Sequence, residues 1–238
     1  MAYSTASTII TRVLDSLSRS ATATTRSGVT MSTLAIAWMN RVLTRISRRH
    51  DFKELQKTYS ASTIASQKTY GFPSNYKIIV DLKVIDGYES TKLILVLPPN
   101  FDKVIPYPED DTEDKPVWYV PFGLNFELYP IPDTAYTLNT RAVIKPTTIT
   151  ATTDTLDYTD DKDDIIFAGM MTEGFYHLQM YEDALFWEKE FLTRLAEAIS
   201  VEEHIPDYVP IGKGYSSKIE GGIYIGEYWN QTDVFSNP

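Results

Sequence analysis

The chain has 238 residues, no cysteine and a net charge of −10. That length is enough for one large domain or two small ones, and the lack of thiols excludes disulfides and thiolate metal sites. No apolar run reaches the roughly 18 residues of a membrane-spanning helix, and Met1-Ala2-Tyr3-Ser4-Thr5 lacks the basic start of a secretory signal.

The charge is unevenly spread. Residues 1–60 hold nine Lys or Arg against three Asp or Glu, a balance of +6, and the remainder carries −16. An acidic body of this kind repels phosphate over most of its surface, so general nucleic-acid binding is not expected. A basic N-terminal face on an acidic body suits packing against an acidic protein neighbour, or is simply a solvated helix face. Sixteen tyrosines against ten phenylalanines favour amphipathic surfaces, because each phenol offers an apolar ring and a polar tip.

In chain order, Ile9, Ile10, Val13, Leu14 and Leu17 predict a helix over Thr8 to Leu17. A Ser/Thr-rich break follows, then a helix from about Ser32 to Arg49. Leu34, Trp38, Val42 and Ile46 form one stripe of it, and Arg41, Arg45, Arg48 and Arg49 another. From Tyr59 the period becomes two. Strands are predicted over Thr58 to Ala65, Tyr76 to Ile85, Leu93 to Leu97, Val117 to Val120, Leu124 to Tyr129 and Tyr136 to Ile144, with Asp86-Gly87 as a hairpin turn. Between Pro98 and Pro116 the prolines and the run Glu109 to Asp114 block regular structure, which predicts a functional protrusion or a disordered excursion.

The segment Trp118 to Pro146 alternates apolar and polar residues and keeps its prolines at the joints. It reads as two antiparallel strands joined by the stiff turn Pro130-Ile131-Pro132-Asp133, since proline cannot donate to a ladder. Beyond it, Asp154, Asp157, Asp160, Asp161, Asp163 and Asp164 read as a cap for the next helix. No window has the Gly and the bidentate Glu of a calcium loop. Helices are predicted over Asp163 to Met180 and Glu182 to Ile199. The second has a wide apolar face, Ala184, Trp187, Phe191, Leu195 and Ala198 flanked by Leu185, Leu192 and Ile199, that needs the N-terminal helices or another subunit to cover it. After Ile205 the pattern dissolves into glycines, prolines and isolated aromatics. That reads as an extended arm that orders on a neighbouring chain, or as a disordered tail.

The predicted fold is therefore α+β. N- and C-terminal helices (1–57 and 151–203) form a bundle, an antiparallel β domain (58–150) is inserted between them, and an arm (204–238) extends from the end. His50, His177 and His204 are scattered, and Gly212-Lys213-Gly214 is only a turn. With no nucleophile, base and orienting group in sight, no enzyme, metal or cofactor is expected.

The order of the motifs resembles that of the head-to-tail adaptor (head completion, connector or tail-tubular-type) proteins of tailed bacteriophages. The likeness is carried by Phe122-Gly123, by Leu128-Tyr129-Pro130-Ile131-Pro132-Asp133 and by Ala135-Tyr136-Thr137-Leu138. Trp38-Met39-Asn40 with Asp51-Phe52-Lys53-Glu54-Leu55 precede these, and Tyr181-Glu182-Asp183-Ala184 follow; the tail after Glu203 lies outside these motifs.

The resemblance implies a virion protein of the head–tail interface, assembled in the host cytoplasm, that forms a homo-oligomeric ring of twelve copies. Its partners would be the portal protein and a tail nozzle or tail-tube protein. It would seal the channel and pass genomic DNA without sequence-specific binding, with no membrane involved. The docking residues expected on this basis are Arg41, Arg45, Arg48, Arg49, Tyr208, Tyr215, Tyr224, Tyr228, Trp229 and Phe235. A tail-side hairpin would present Phe122, Tyr129, Pro130, Pro132, Asp133 and Tyr136. The alternative reading is a carbohydrate- or protein-binding β module of a phage tail or surface protein, in which Trp118, Tyr119, Tyr129 and Tyr136 stack on a ligand.

Overall fold

The computed structural model describes residues 2–25 and 28–203, together with the backbone of two short strands farther on. Two compact units result, Met1–Leu195 and Ala196–Pro238. The fold is mixed α+β, with five helices among the described residues: α1 (Ala6–Ser16), α2 (Met31–Arg49), α3 (Pro98–Val104), α4 (Asp163–His177) and α5 (Tyr181–Glu203).

Strands β2 (Gln56–Ser62), β3 (Thr69–Gly71), β4 (Tyr76–Asp86), β5 (Glu89–Lys92), β6 (Ile94–Leu95), β7 (Trp118–Phe122), β8 (Asn125–Tyr129) and β9 (Thr137–Ile144) all fall between α2 and α4. They build two four-stranded sheets of order β2-β9-β4-β5 and β3-β8-β7-β6. Every pair is antiparallel except β6 with β7. Leu82, Val84 and Leu138 from the first sheet share one buried cluster with Tyr119, Phe126 and Leu128 from the second. The two inner faces thus close on each other as a sandwich, each strand turning alternate residues inward.

Within the sandwich, both two-residue hairpin loops begin with glycine. Gly87-Tyr88 joins β4 to β5 and Gly123-Leu124 joins β7 to β8, with Gly87 at φ +57° and Gly123 at φ +63°. A positive φ at the first loop position matches the right-handed twist of the strands and favours a residue without Cβ.

The helices take their order from α4. Its residues from Ile165 to Thr172 are all buried, which marks it as the central helix, since a helix that is apolar all round is covered all round. Each fully buried aliphatic side chain there, Ile166 for example, contributes about 2 kcal/mol. Both α1 and α2 pack on α4 and on each other. Thr30 caps α2 by accepting from the Thr33 N–H at 3.3 Å, a cap worth about 1 kcal/mol. A short strand at the start of the chain, β1 (Tyr3–Thr5), pairs antiparallel with β10 (Thr155–Thr159), which leads into α4.

Three sequence expectations are corrected here. The strands at Leu124–Tyr129 and Tyr136–Ile144 do not pair: β8 belongs to one sheet and β9 to the other. The Pro130–Asp133 turn therefore crosses the sandwich instead of closing a hairpin. The 98–116 stretch holds regular structure, because Pro98 and Pro99 occupy the first helical positions of α3, where no N–H is needed, and a 3-10 turn follows at Pro108–Asp110. Residues 155–159 form a strand, not a cap, with Leu156 and Tyr158 buried on its inner face.

In the second unit, β11 (Ile219–Glu220) and β12 (Ile223–Tyr224) pair antiparallel.

Candidate docking surfaces

The arginine stripe of α2 is partly engaged within the chain. Arg45 forks both oxygens of Glu188 on α5 and sets its guanidinium 4.6 Å from the centroid of the Phe191 ring. Arg41 pairs with Glu173 of α4 at 3.0 Å. Arg48 and Arg49 are exposed at the end of the helix. Two of the four candidate docking arginines thus fasten α2 to its neighbours, and two face solvent. Exposed pairs of this kind are worth under about 1 kcal/mol; the half-buried fork of Arg45 is the stronger.

Among the hairpin residues, Phe122 lies at the exposed β7–β8 tip with 76% of its surface accessible. Tyr129 is half-buried, with Trp118 and Phe101 against its ring, and its phenol donates to Asp111 at 2.8 Å. Pro132 is buried, Pro130 half-buried and Asp133 exposed. The phenol of Tyr136, itself buried, donates to Asp133 at 2.7 Å. That bond, backed by burial, raises the phenol's pKa to about 12. The Gly123 carbonyl accepts from Tyr76, whose β4 neighbour Lys77 reaches the end of α2 at Ser47 and Asp51. The Phe122 tip is thus on the helix-facing end of the sandwich, and the Tyr136–Asp133 pair is at the far end, where Thr137 lies opposite Ile85 and Ser62. One surface does not present all six residues. Nor do the four aromatics of the binding-module reading form a platform, because Tyr119 and Tyr136 are each only 7% exposed. Tyr208, Tyr215, Tyr228, Trp229 and Phe235 lie outside the described residues, as does the side chain of Tyr224.

Five of the six acidic residues from Asp154 to Asp164, after β9, make bonds within the chain, some local and some to its first helix and strand. Asp154 accepts the N–H groups of Thr150 and Ala151 and the Thr150 hydroxyl, and these bonds hold its carboxyl below the usual range. Asp157 accepts from the Thr147 N–H, and Asp164 pairs with Arg12. Burial pushes the Asp161 carboxyl up, but hydrogen bonds from Lys162 and Thr159 outweigh it and the net shift is downward. Burial is the main cause that raises Asp163, which accepts from Ser4 of β1 at 2.5 Å. The loop acids behave likewise: Glu109 pairs with Lys68 and Glu113 accepts from Ser66, which pins the 98–116 segment to the sandwich.

Sequence reasoning missed that α5 has two exposures. Ala184, Phe191 and Leu195 are buried, whereas Tyr181, Leu185, Phe186 and Leu192 are exposed. The sequence showed one wide apolar face, and only the positions of α2 and α4 decide which part of it is core.

The family model of the SU10 adaptor protein matches residues 4–209, and the chain belongs to that family. It is a phage structural adaptor, as the order of its motifs indicated. No curated protein matches it. Among the described residues no helix is long and apolar enough to cross a membrane.

Proposed function

We propose that this chain is one subunit of a ring that joins the capsid portal to the tail or nozzle of the virion, closes the channel after packaging and passes DNA during ejection. The adaptor-family match across residues 4–209 carries this reading. In it, the helices from both chain ends form a bundle (1–57 and 151–203) that meets the portal and the neighbouring copies. The sandwich (58–150) is an insert that points toward the tail, and the segment from 204 onward is an arm. Antiparallel pairing of β1 with β10 and the packing of α1 and α2 on α4 support such a two-ended bundle. Twelve copies would match the usual portal symmetry. The acidic excess beyond residue 60 would let DNA slide past without sticking, because carboxylate repels phosphate. The ring would assemble in the host cytoplasm and reside at the head–tail interface.

Native mass spectrometry of the full chain, alone and mixed with the portal ring of the same phage, tests the reading. The expected result is a discrete portal complex carrying a symmetric number of added chains. Failure to bind the portal under any condition that keeps both proteins folded would overturn it.

A further inference from the structure

The helical layer has two flanks of opposite chemistry, and they face away from each other. Trp38 lies against His177, and the Cβ direction of Gly169 meets Val42, so α2 and α4 run antiparallel. Since α5 turns back on α4, it runs parallel to α2, with Arg45 level with Glu188. Positions on α5 advance by about 100° per residue. Ala184, Phe191 and Leu195 point into the layer. On the α2 side of that buried arc, past the Arg45–Glu188 pair, come the exposed Tyr181, Leu185 and Leu192, running alongside the exposed Arg41 and Arg48. On the α4 side, past the contacts of Arg194 with Asp164 and Glu190 and of Trp187 with Phe167, come the exposed Asp183 and Phe186. One flank is therefore apolar, with the basic Arg48 exposed beyond the Arg41–Glu173 and Arg45–Glu188 pairs, and the other sets the acidic Asp183 beside an exposed aromatic ring.

We propose that these flanks are the two halves of a head-to-tail contact between copies of this chain. The acidic flank of one copy, centred on Asp183 and Phe186, would cover the basic and apolar flank of the next, centred on Arg48, Leu185 and Leu192. The proposal rests on the ring reading above, and it names the surface that makes the ring. Two observations support a second copy as the occupant. Exposed Arg48 and exposed Asp183 carry opposite charge on the two flanks, and each flank adds exposed apolar side chains that need cover. A contact between two different patches leaves both ends free to continue, so it closes a ring when the rotation per subunit divides a full turn.

The test uses full-length Arg48→Glu and Asp183→Lys chains, with folding checked by circular dichroism. Leu185→Ser, an uncharged change at an exposed position, is the second probe of the basic flank. Self-association is read by sedimentation in about 0.1 M salt, where exposed charges still act across a contact, and on the portal ring. Each variant alone is expected to associate at least tenfold more weakly than wild type. Mixing Arg48→Glu with Asp183→Lys should recover association, because each chain keeps the flank that the other has lost. Wild-type rings with variants that assemble equally well, or a mixture that recovers nothing, would overturn this interface and leave the ring reading standing. A wild-type chain that adds no symmetric set of copies to the portal would remove both.

Discussion

The side-chain amide of Asn40 on α2 grips the backbone of Ile149 twice, donating to its carbonyl and accepting from its N–H, each at 2.8 Å. Those two bonds act like one rung of a β-ladder and fasten the segment leaving β9 onto the helix. Asn40→Ala leaves two peptide groups without partners and is expected to cost about 2–3 kcal/mol. Asn40→Asp should cost at least as much, because a carboxylate accepts the N–H but repels the carbonyl. Chemical denaturation checks both, and a loss under about 0.5 kcal/mol, the scale of a surface change, would refute the grip.

Two glycines of α4 face neighbours of different stiffness. A Cβ at Gly169 would come 2.7 Å from Val42 Cγ1 and 3.1 Å from Phe191, while one at Gly174 would come 2.5 Å from Leu17 Cδ1. Valine in a helix has one strongly preferred rotamer and the Phe191 ring is fully buried, so neither yields. The Leu17 methyl is the end of a flexible side chain. Gly-to-Ala gains up to about 1 kcal/mol of helix propensity, against an overpacking cost of about 1–3 kcal/mol. Gly169→Ala is expected to lower stability by about 1–2 kcal/mol and Gly174→Ala to be nearly neutral. Paired melting curves decide it, and equal effects would contradict the argument.

Much of the fold was legible where the signal is local. The helical stripes marked α1, α2, α4 and α5 to within a few residues, and the alternating runs marked β2, β4, β7, β8 and β9. The turn after β4 was legible one residue early, at Asp86-Gly87 where the loop is Gly87-Tyr88, because Gly87 tolerates positive φ. Pairing was not. An alternating run shows which side of a strand is buried and says nothing about which strand lies beside it. Thus β8 was assigned to β9, its next neighbour downstream, while Gly123 had already turned it back on β7. The parallel pairing of β6 with β7 spans the whole 98–116 segment and left no local mark. At the candidate surfaces the arginines were visible, but their partners were not: Arg45 and Glu188 are 143 positions apart.

At the far end of the sandwich, the Tyr136–Asp133 bond makes a prediction in alkali. The phenol's pKa is raised from 10 to about 12, with the hydrogen bond to Asp133 as the main cause and burial second. A raised folded-state pKa stabilises the fold fully below the unfolded value and loses that contribution as pH climbs through the folded one. Wild type should therefore lose stability between pH 10 and about 12. Asp133→Asn removes the charge that holds the proton, so its deficit relative to wild type should be constant below pH 10 and close above it. Denaturation midpoints across that window test this, with phenolate absorbance as the second readout. A gap that stays constant throughout would mean that the Tyr136 proton is not coupled to folding.

Two helices end in the same way and neither uses glycine for it. After α1, the Arg19 N–H reaches back to the Leu14 carbonyl and Ser18 sits at φ +53°. After α4, the Met180 N–H reaches the Phe175 carbonyl and Gln179 sits at φ +61°. Both are the six-to-one closure of a Schellman motif, whose left-handed position glycine fills without a Cβ penalty. A residue other than glycine, asparagine or aspartate is held there at a cost of about 1 kcal/mol. Glycine would remove that strain and give back part of the gain through a freer unfolded chain. Ser18→Gly and Gln179→Gly are each expected to raise stability by about 0.5 kcal/mol. The sites lie at the ends of different helices, so the double variant should show the sum. Both turns set the angle at which the chain enters its next segment, so the gain should appear as slower unfolding with the helix content unchanged. Loss of stability at either site would show that the side chain now there contributes a contact that outweighs the backbone strain.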